Sequence, residues 1–338
     1  MSPNRKTIIA IVITALITAV LFSYQLPYYV YKPGTAEALD PVIEVDGGYA
    51  SEGDMHLVTI RGGQATAVQW LLAQFRPYYE LMPLEEVRPE GVSEQEYFHA
   101  QLQMMETSQE AAQVVAYEAA GKQIDIQYDG VYVMQLVKGM PAADRLQSGD
   151  RIVKVDGQEV KESSDLINYV EDKKAGESVS LLIEREKGTL TREVELAPFP
   201  DNEEKVGIGI SLVTDRSVEV DPEVNVESGE IGGPSAGLMF SLEIYDQLTE
   251  YDLTSGKEIA GTGEINYDGE VGKIGGIDKK VVAADEEGAS VFFAPNEGGA
   301  EDSNYKIAAQ TAEDIGTDMK IVPVDTFQEA VDYLKKNK

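Results

Sequence analysis

A serine stands at a tightly constrained corner of the sequence, in the stretch EIGGPSAGLMFSL at residues 230–242. The glycines allow unusual backbone dihedral angles, and Pro234 suits the first turn of a helix. An apolar helix is predicted from Ala236 onward, so Ser235 would lie at a helix N-terminus whose free N–H groups could hold an oxyanion. The pattern also fits an ordinary glycine turn capped by Ser235, and local features alone favour that simpler interpretation.

A nucleophilic serine needs a base, and the composition leaves few candidates. The chain has no cysteine and only two histidines, and neither H-E-x-x-H nor paired D-[ST]-G motifs occur. His56 lies in a strand-like run and His99 in a helix-like run, where a lone histidine is more often packed or solvated than catalytic. Lysine remains, provided that burial lowers its pKa from about 10.4.

The segment KIGGIDKKVVAADEEG at residues 273–288 offers such a lysine. A helix over about 277–287 would carry a stripe at i, i+3, i+4 and i+7, formed by Ile277, Lys280, Val281 and Ala284. This pattern predicts Lys280 on the buried face and its neighbour Lys279 away from it. Periodicity does not separate burial of Lys280 from snorkelling at the edge of the stripe.

The surrounding segments must position these two residues. Residues 42–63 have the alternation and glycine turns of strands, and residues 66–120 are largely helical in pattern, ending at Gly121. After a proline-marked polar joint at 198–205, residues 206–338 alternate between strand and helix patterns. The sequence therefore predicts a mixed α and β fold.

The N-terminal segment Thr7–Ser23 is apolar and uncharged, and with the residues up to 26 it is long enough to cross a membrane. Arg5 and Lys6 precede it, which predicts a cytoplasmic N-terminus. Nearby tyrosines would form an interfacial belt, namely Tyr24, Tyr28, Tyr29 and Tyr31. The alternative is a cleaved signal peptide, but no A-x-A-like site follows. Either way, residues from about 34 onward are expected outside the cell.

The charge balance restricts the partners. The chain has 28 Lys and Arg against 60 Asp and Glu, a net charge of −32, although residues 1–33 contain no acid. Nucleic acid as a partner is excluded, because its phosphates need basic neutralisation. The acidity favours solubility and is compatible with basic substrates.

The middle of the chain resembles a PDZ domain. Residues 139–160 (GMPAADRLQSGDRIVKVDGQEV) match the bacterial pattern G-x-P-A-x-x-x-L-x-x-G-D-x-I-x-x-V-x-G-x-x-V. The resemblance implies a groove where an extended peptide adds as a strand beside a helix at 165–170. The candidate carboxylate-binding loop is Tyr128–Tyr132, and the predicted peptide-binding residues are Tyr128, Gly130, Val131, Tyr132 and Leu166. A small β domain without ligand is the alternative.

Three later segments, in order, resemble the proteolytic domain of Lon-type serine proteases. Residues 234–237 (PSAG) match the nucleophile motif, residues 262–265 (TGEI) the central element, and residues 272–280 the stretch with the catalytic lysine. The resemblance implies that Ser235 is the nucleophile and Lys280 the general base. It implies that Thr262 positions the lysine, with Gly233, Pro234 and Ala236 supporting the nucleophile.

The layout resembles the membrane-anchored PDZ–Lon-type proteases of Gram-positive bacteria. It implies an α+β fold in which a Lon-type domain (ribosomal protein S5 domain 2-like) carries an inserted PDZ β-sandwich or barrel. The predicted boundaries are 1–33 for the N-terminus and transmembrane anchor, 42–120 for the first protease part, 121–200 for the PDZ domain, and 201–338 for the Lon-type domain. Residues 103–120, within the helix predicted over Glu94–Ala120, resemble the M-K-E-S-x-x-x-A element of the family, which supports the first protease part.

Two departures from other Lon-type proteases carry weight. Those members have an acidic residue three positions before the serine, where this chain has Gly232. No G-x-x-x-x-G-K-[ST] motif occurs, which predicts that no ATPase module drives unfolding.

The resulting hypothesis is an ATP-independent serine endopeptidase, single-pass in the cell membrane, that cleaves extracytoplasmic peptides or unfolded exported proteins. No cofactor or metal is expected, and ring formation in the family allows a homo-oligomer. One alternative is an inactive membrane-tethered PDZ adaptor, against which intact Ser235, Lys280 and Thr262 argue. Another is a small-molecule kinase, which ATP binding would favour.

Overall fold

The computed structural model describes residues 4–88, 93–185, 188–200 and 202–337. The helices are α1 (Arg5–Ser23), α2 (Ala67–Ala73), α3 (Leu84–Val87), α4 (Glu94–Ala120), α5 (Ser163–Glu171), α6 (Gly237–Leu248), α7 (Ile277–Glu287), α8 (Asn304–Ile315) and α9 (Phe327–Lys336). Short 3₁₀ turns lie at Pro141–Asp144 and Glu297–Gly299. The fold mixes helices and strands, which confirms the predicted α+β class.

The strands fall into five sheets. They are β1 (Gln25–Ala38), β2 (Ile43–Val45), β3 (Met55–Thr66), β4 (Glu80–Pro83), β5 (Gln123–Leu136), β6 (Arg151–Val155), β7 (Gln158–Glu159), β8 (Ser178–Arg185), β9 (Gly188–Glu195), β10 (Ala197–Phe199), β11 (Asn202–Gly207), β12 (Ile210–Asp221), β13 (Val224–Val226), β14 (Ile259–Gly261), β15 (Glu264–Ile265), β16 (Val271–Gly272), β17 (Val291–Pro295) and β18 (Lys320–Val324). Two of the sheets have six strands and the other three have two each.

The chain divides into two compact units. The first unit comprises residues 1–124 and 220–338, and the second comprises residues 125–219. The predicted PDZ segment 121–200 thus stops before the last strands of the second unit, because β11 and most of β12 belong to that unit as well.

The first unit is built on a six-stranded sheet in the order β18-β17-β14-β3-β1-β4. The strands from β3 to β18 run parallel, and β1 runs antiparallel to its neighbours. Side chains alternate between the two faces, as strand geometry requires. Met55 and Leu57 join the core formed with α4, α6 and α9, whereas Val58 joins the core formed with α7 and α8. The sheet therefore lies between the helix that follows Ser235 and the helix that carries Lys280.

The second unit contains a sheet in the order β12-β5-β6-β8-β9, with β7 paired to β6. Its core includes Val131, Ile152, Leu166 and Leu181, all at most 1% exposed. β12 and β9 are the terminal strands of this sheet, and β5 lies between β12 and β6.

Helix α1 has 19 residues, about 28 Å of helix, and is long and apolar enough to cross a membrane. Helix α1 ends at Ser23, whereas the sequence predicted that the outer part of the chain begins only near residue 34. β1 begins at Gln25, pairs with β3 and β4, and buries Val30. Tyr28, Tyr29 and Tyr31 therefore lie in a strand of the first unit, because that sheet extends almost to the end of α1.

Candidate active site

Ser235 lies in the turn that leads into α6. Gly233 has φ +91°, in the left-handed region that favours glycine, and Pro234 follows it. α6 begins at Gly237, so the serine side chain stands just before the first helical turn, half-exposed. The turn thus presents a hydroxyl at the positive end of a twelve-residue buried helix.

Lys280 is brought to this turn by α7. The helix begins after Gly276, which has φ +68°, and its first turn buries Ile277 and Lys280. The Nζ atom of Lys280 lies 2.8 Å from Ser235 Oγ and donates to the carbonyl oxygen of Val58 at 2.7 Å. The sequence-based pairing of a serine and a lysine 45 positions apart is therefore a direct contact in the structure.

The electrostatic environment of Lys280 favours the neutral amine. The side chain is almost entirely buried, and none of the ion pairs within the described ranges involves it. Burial removes the solvation of the ammonium and lowers the pKa of Lys280 from 10.5 to about 7. A lysine in this state can accept a proton near neutral pH.

Thr262 holds the serine's backbone. The Thr262 hydroxyl donates to the carbonyl oxygen of Ser235 at 2.8 Å, and the N–H of Gly263 donates to the same oxygen at 2.9 Å. Thr262 is fully buried just after β14. Its contact is thus to the nucleophile's main chain, and the predicted positioning of the lysine by Thr262 stays a prediction.

The backbone donors around Ser235 are not equivalent. The N–H of Gly233 donates to the carbonyl oxygen of Gln101 at 2.8 Å, and Pro234 has no N–H. Among the hydrogen bonds within the described parts of the chain, none uses the N–H of Ser235 or of Ala236. The N–H groups of Ser235 and Ala236 are therefore the ones that could donate to an oxyanion. Gly233 instead contributes the left-handed backbone conformation of the turn, because its own N–H is bonded to Gln101.

Helix α4 supports the turn from behind, and the site-residue predictions missed this contribution. The buried Ser108 hydroxyl donates to the carbonyl oxygen of Pro234 at 2.9 Å. A Cβ atom on Gly237 would lie 2.6 Å from Ser108 Oγ and 2.7 Å from Ile265 Cγ2, so glycine is required where α6 meets these neighbours. The likeness of residues 103–120 to the M-K-E-S-x-x-x-A element was the signal that could have identified Ser108.

Lys279 differs from its prediction, since it is buried to the same extent as Lys280. Its Nζ atom lies 2.7 Å from Glu80 Oε2 and 3.1 Å from both carboxylate oxygens of Asp278. The helical periodicity did not predict the burial of Lys279, because β4 covers this side of α7 and supplies the carboxylate of Glu80. The two adjacent lysines therefore have opposite environments, one ion-paired and one without a counter-charge.

Neither histidine contacts the serine–lysine pair. His56 Nε2 lies 2.7 Å from Glu258 Oε2, whereas His99 is exposed on α4. Within the described residues, Asp54, His56 and Glu258 are the one group whose possible metal-ligand atoms all lie within 4.8 Å of one another. His56 thus has the packed role expected for a lone histidine in a strand.

The candidate carboxylate-binding loop, Tyr128–Tyr132, lies within strand β5 rather than in a loop, and the peptide-binding role of these residues stays a prediction. β5 is bonded to β12 on one side and, at Val131 and Tyr132, to β6 on the other. Val131 is fully buried and Leu166 is 1% exposed, both within the core of the second unit. Tyr128 is 37% exposed and stacks with Arg216, and Gly130 has φ +120° within the paired strand.

Comparison with known families places two domains on this chain. Residues 105–196 match the family model of the PDZ domain, and residues 203–336 match that of the Lon protease (S16) C-terminal proteolytic domain. Lon protease of Metamycoplasma arthritidis is 33% identical over 149 residues, covering 43% of this chain and 16% of that protein. Lon protease of Malacoplasma penetrans is 35% identical over 120 residues, covering 35% and 14%. The chain thus matches only about one sixth of the length of these relatives.

Among solved structures, two PDZ domains from Listeria are similar to part of this chain. The PDZ domain of the SdrC-like protein from Listeria monocytogenes is 38% identical, with 26% of this chain and 93% of that chain covered and a TM-score of 0.24. Its counterpart from Listeria innocua is 33% identical, with 25% and 93% covered and a TM-score of 0.23.

Proposed function

Because this chain combines a PDZ domain with the proteolytic domain of Lon proteases, we propose that it is an ATP-independent serine endopeptidase with a Ser235–Lys280 dyad. The observation that carries the proposal is the 2.8 Å contact between Lys280 Nζ and Ser235 Oγ, made by a buried lysine without a counter-charge. A charged or solvated lysine could not act as a base near neutral pH.

The proposed reaction begins with proton transfer from Ser235 Oγ to the neutral amine of Lys280. The hydroxyl oxygen attacks the scissile carbonyl carbon, and the N–H groups of Ser235 and Ala236 receive the oxyanion. Lys280 returns the proton to the leaving amine, which breaks the peptide bond and leaves an ester on Ser235. Lys280 then takes a proton from water, and the resulting hydroxide attacks the ester carbon. The bond to Ser235 Oγ breaks, Lys280 returns the proton to this oxygen, and the acid product is released.

We further propose that α1 anchors the chain in the cell membrane with the folded units outside. Length, apolarity and the preceding Arg5 and Lys6 support this topology. Without an ATPase motif in the sequence, substrates would be peptides or proteins that are already unfolded. Such a tether would restrict cleavage to exported chains that pass near the membrane.

The PDZ domain is proposed to be inserted in the protease fold and to select substrate C-termini. β12 has a free edge, and its Thr214 hydroxyl accepts from the N–H of Ser163 at the start of α5, at 3.0 Å. A peptide could therefore add as a strand between β12 and α5. The turn before β12 contains Ile208 and Gly209, whose N–H groups could receive a terminal carboxylate; Gly209 has φ +85°.

Cleavage of unfolded casein by the full chain in detergent, with and without ATP, tests the enzyme. Ser235→Ala and Lys280→Met should each abolish ATP-independent cleavage, and Lys279→Met is the matched control because that lysine is ion-paired and equally buried. An intact activity in Lys280→Met would overturn the dyad. If wild type cuts neither casein nor flexible peptides but still binds peptide C-termini, the inactive-adaptor alternative is correct.

The peptide site can be tested separately on the Ser235→Ala chain, which does not consume its ligand. Fluorescent peptides with a free C-terminus should bind more tightly than the same peptides amidated at that end. Equal affinity for the two forms would contradict capture of the carboxylate by the turn before β12.

A further inference from the structure

Helix α2 and the turn that follows it expose a cluster of large apolar side chains. Leu71 is 55% exposed, Leu72 is 48% exposed and Phe75 is 79% exposed. These three residues are called the α2 patch below. Single exposed apolar residues are ordinary, but three neighbouring ones on a short helix and the turn after it mark a surface that contacts something apolar.

The α2 patch belongs to the part of the first unit nearest to the proposed anchor. Helix α2 contacts α1 directly, and β1 begins only two residues after α1 ends at Ser23. A small separate core joins α2 to β1 through Ala73 and Val30. The patch is therefore held at a fixed position beside the point where α1 leaves the bilayer.

The distribution of charged residues also favours contact between the α2 patch and a phospholipid surface. The segments 1–36 and 59–79, which form α1, most of β1 and β3, and α2, contain no Asp or Glu in a chain that has 60 of them. Their basic residues beyond the C-terminal end of α1 are Lys32, Arg61 and Arg76, whereas Arg5 and Lys6 lie at the opposite end of α1, on the proposed cytoplasmic side. Arg61 and Arg76 are exposed, and no ion pair between described residues uses them. A surface formed by these segments would therefore not be repelled by anionic phospholipid headgroups.

Aromatic residues flank the α2 patch. The rings of Trp70 and Tyr28 lie 6.4 Å apart, and Tyr28 is 37% exposed. Tryptophan and tyrosine concentrate at the headgroup level of membranes, because each has an apolar body and a polar group. Aromatic, apolar and basic side chains thus occur together at the end of the molecule where α1 terminates.

We propose that the α2 patch docks on the outer-leaflet phospholipid surface and seats the protease unit against the membrane. The inference depends on the proposed anchoring by α1 and adds a second contact to it. Leu71, Leu72 and Phe75 insert among the acyl-chain ends nearest to the headgroups, while Arg61 and Arg76 contact lipid phosphates. Two membrane contacts restrict the tilt of the first unit, which a single helix followed by a free hinge would not do.

Trp70 provides the test, since it is the only tryptophan in the chain. The full chain is reconstituted into vesicles of phosphatidylcholine and phosphatidylglycerol that carry bromine at a defined depth of the acyl chain. We expect Trp70 fluorescence to be quenched more strongly by bromine near the headgroup than by bromine near the bilayer centre. The triple variant Leu71→Ser, Leu72→Ser, Phe75→Ser should lose most of this quenching.

Tyr49→Ser is the matched control, because Tyr49 is 46% exposed and precedes the opposite end of β3, roughly 40 Å from α2 along the strand. It should leave the quenching unchanged. Because all four substituted positions are exposed, circular dichroism should show the same fold in every variant.

Flotation and resistance to alkaline carbonate report anchoring by α1 independently. Vesicle-bound chain with unquenched Trp70, or quenching that survives the triple variant, would overturn the docking surface while leaving the anchor in place. Chain that does not float would overturn the anchor and, with it, the docking. If the triple variant instead converts an oligomer into a monomer without any lipid contact, the α2 patch is a self-association surface and the proposal is wrong.

Discussion

The amino group of Lys280 donates to the carbonyl oxygen of Val58, 222 positions earlier in the chain, at 2.7 Å. This bond uses one of the two N–H groups of the neutral amine. The other N–H and the lone pair of Nζ remain available to Ser235 Oγ, 2.8 Å away. Val58 lies in β3, the strand beside β14, which leads to Thr262 and its bond to the serine carbonyl. Adjacent strands of one sheet therefore hold both members of this serine–lysine pair.

The first prediction concerns the pH dependence of cleavage. With the pKa of Lys280 lowered to about 7 by burial, the base form increases as the pH rises through 7. We expect kcat/KM for a fluorogenic peptide to rise about tenfold per pH unit below pH 7 and to level off above it. The pH profile of kcat/KM reports the pKa values of the free enzyme and therefore measures this rise directly. Activity that declines between pH 6 and pH 8 would contradict a lysine base.

The second prediction concerns the stability cost of the same burial. The pKa of Lys280 is about 7 in the folded state and 10.5 when unfolded, so the unfolded chain binds more protons between these values and stability increases with pH there. Lys280→Met removes the cost. We expect the variant to be more stable than wild type by a few kcal/mol at or below pH 7, with the difference shrinking toward pH 10.

Chemical denaturation of the two chains in the same detergent, followed by circular dichroism at several pH values, measures this difference. Lys279→Met serves as the control, because its amine is ion-paired to Glu80 and Asp278. If Lys280→Met is less stable than wild type at pH 6, burial of the Lys280 amine does not destabilise the folded state.

The third prediction concerns Thr262 as a positioning residue. Thr262→Val removes the hydroxyl that donates to the Ser235 carbonyl, although the N–H of Gly263 still reaches that oxygen. The loss of one hydrogen bond of about 1 kcal/mol should lower kcat about fivefold with little change in KM. Thr262→Ser should restore most of the rate.

Thr311→Val is the matched control for this substitution, since Thr311 is also buried and donates to a backbone carbonyl, that of Ile307 on α8. Its kcat should stay at the wild-type value. A larger effect on KM than on kcat in Thr262→Val would place Thr262 in substrate binding instead.

The fourth prediction concerns Glu243, which is buried on α6 and accepts from Gln247 Nε2 at 2.7 Å. Burial, with a smaller contribution from Asp246, raises the pKa of Glu243 from 4.5 to about 7. The folded state therefore holds a proton that the unfolded state has lost between pH 4.5 and 7, and stability decreases as the pH rises through this range.

Glu243→Gln keeps an acceptor for Gln247 and removes the charge. We expect no stability gain near pH 4.5 and a gain on the order of 3 kcal/mol above pH 7, from denaturation curves at both values. Glu118→Gln, an exposed substitution on α4, should have no such pH dependence. A gain that is the same at both pH values would contradict the titration of Glu243.

The sequence by itself determined the elements that depend on local pattern. The helix predicted over Glu94–Ala120 has those bounds in the structure, and so does the helix over 277–287 that carries Lys280. Capping residues, glycine stops and a 3.6-residue period are local signals, so they are readable without knowledge of the neighbours. The resemblance to Lon-type motifs selected Ser235 and Lys280 where the local pattern alone favoured a simple turn.

Only the tertiary structure decided which neighbours these elements meet. Lys279 and Lys280 are both buried, and an acid from β4 reaches one while a backbone carbonyl from β3 reaches the other. β12 and β9 are the terminal strands of the larger sheet in the second unit, whereas Tyr128–Tyr132 lie in its interior strand β5. Strand order and long-range pairing join residues far apart in the chain, and no period within a single segment encodes its partner.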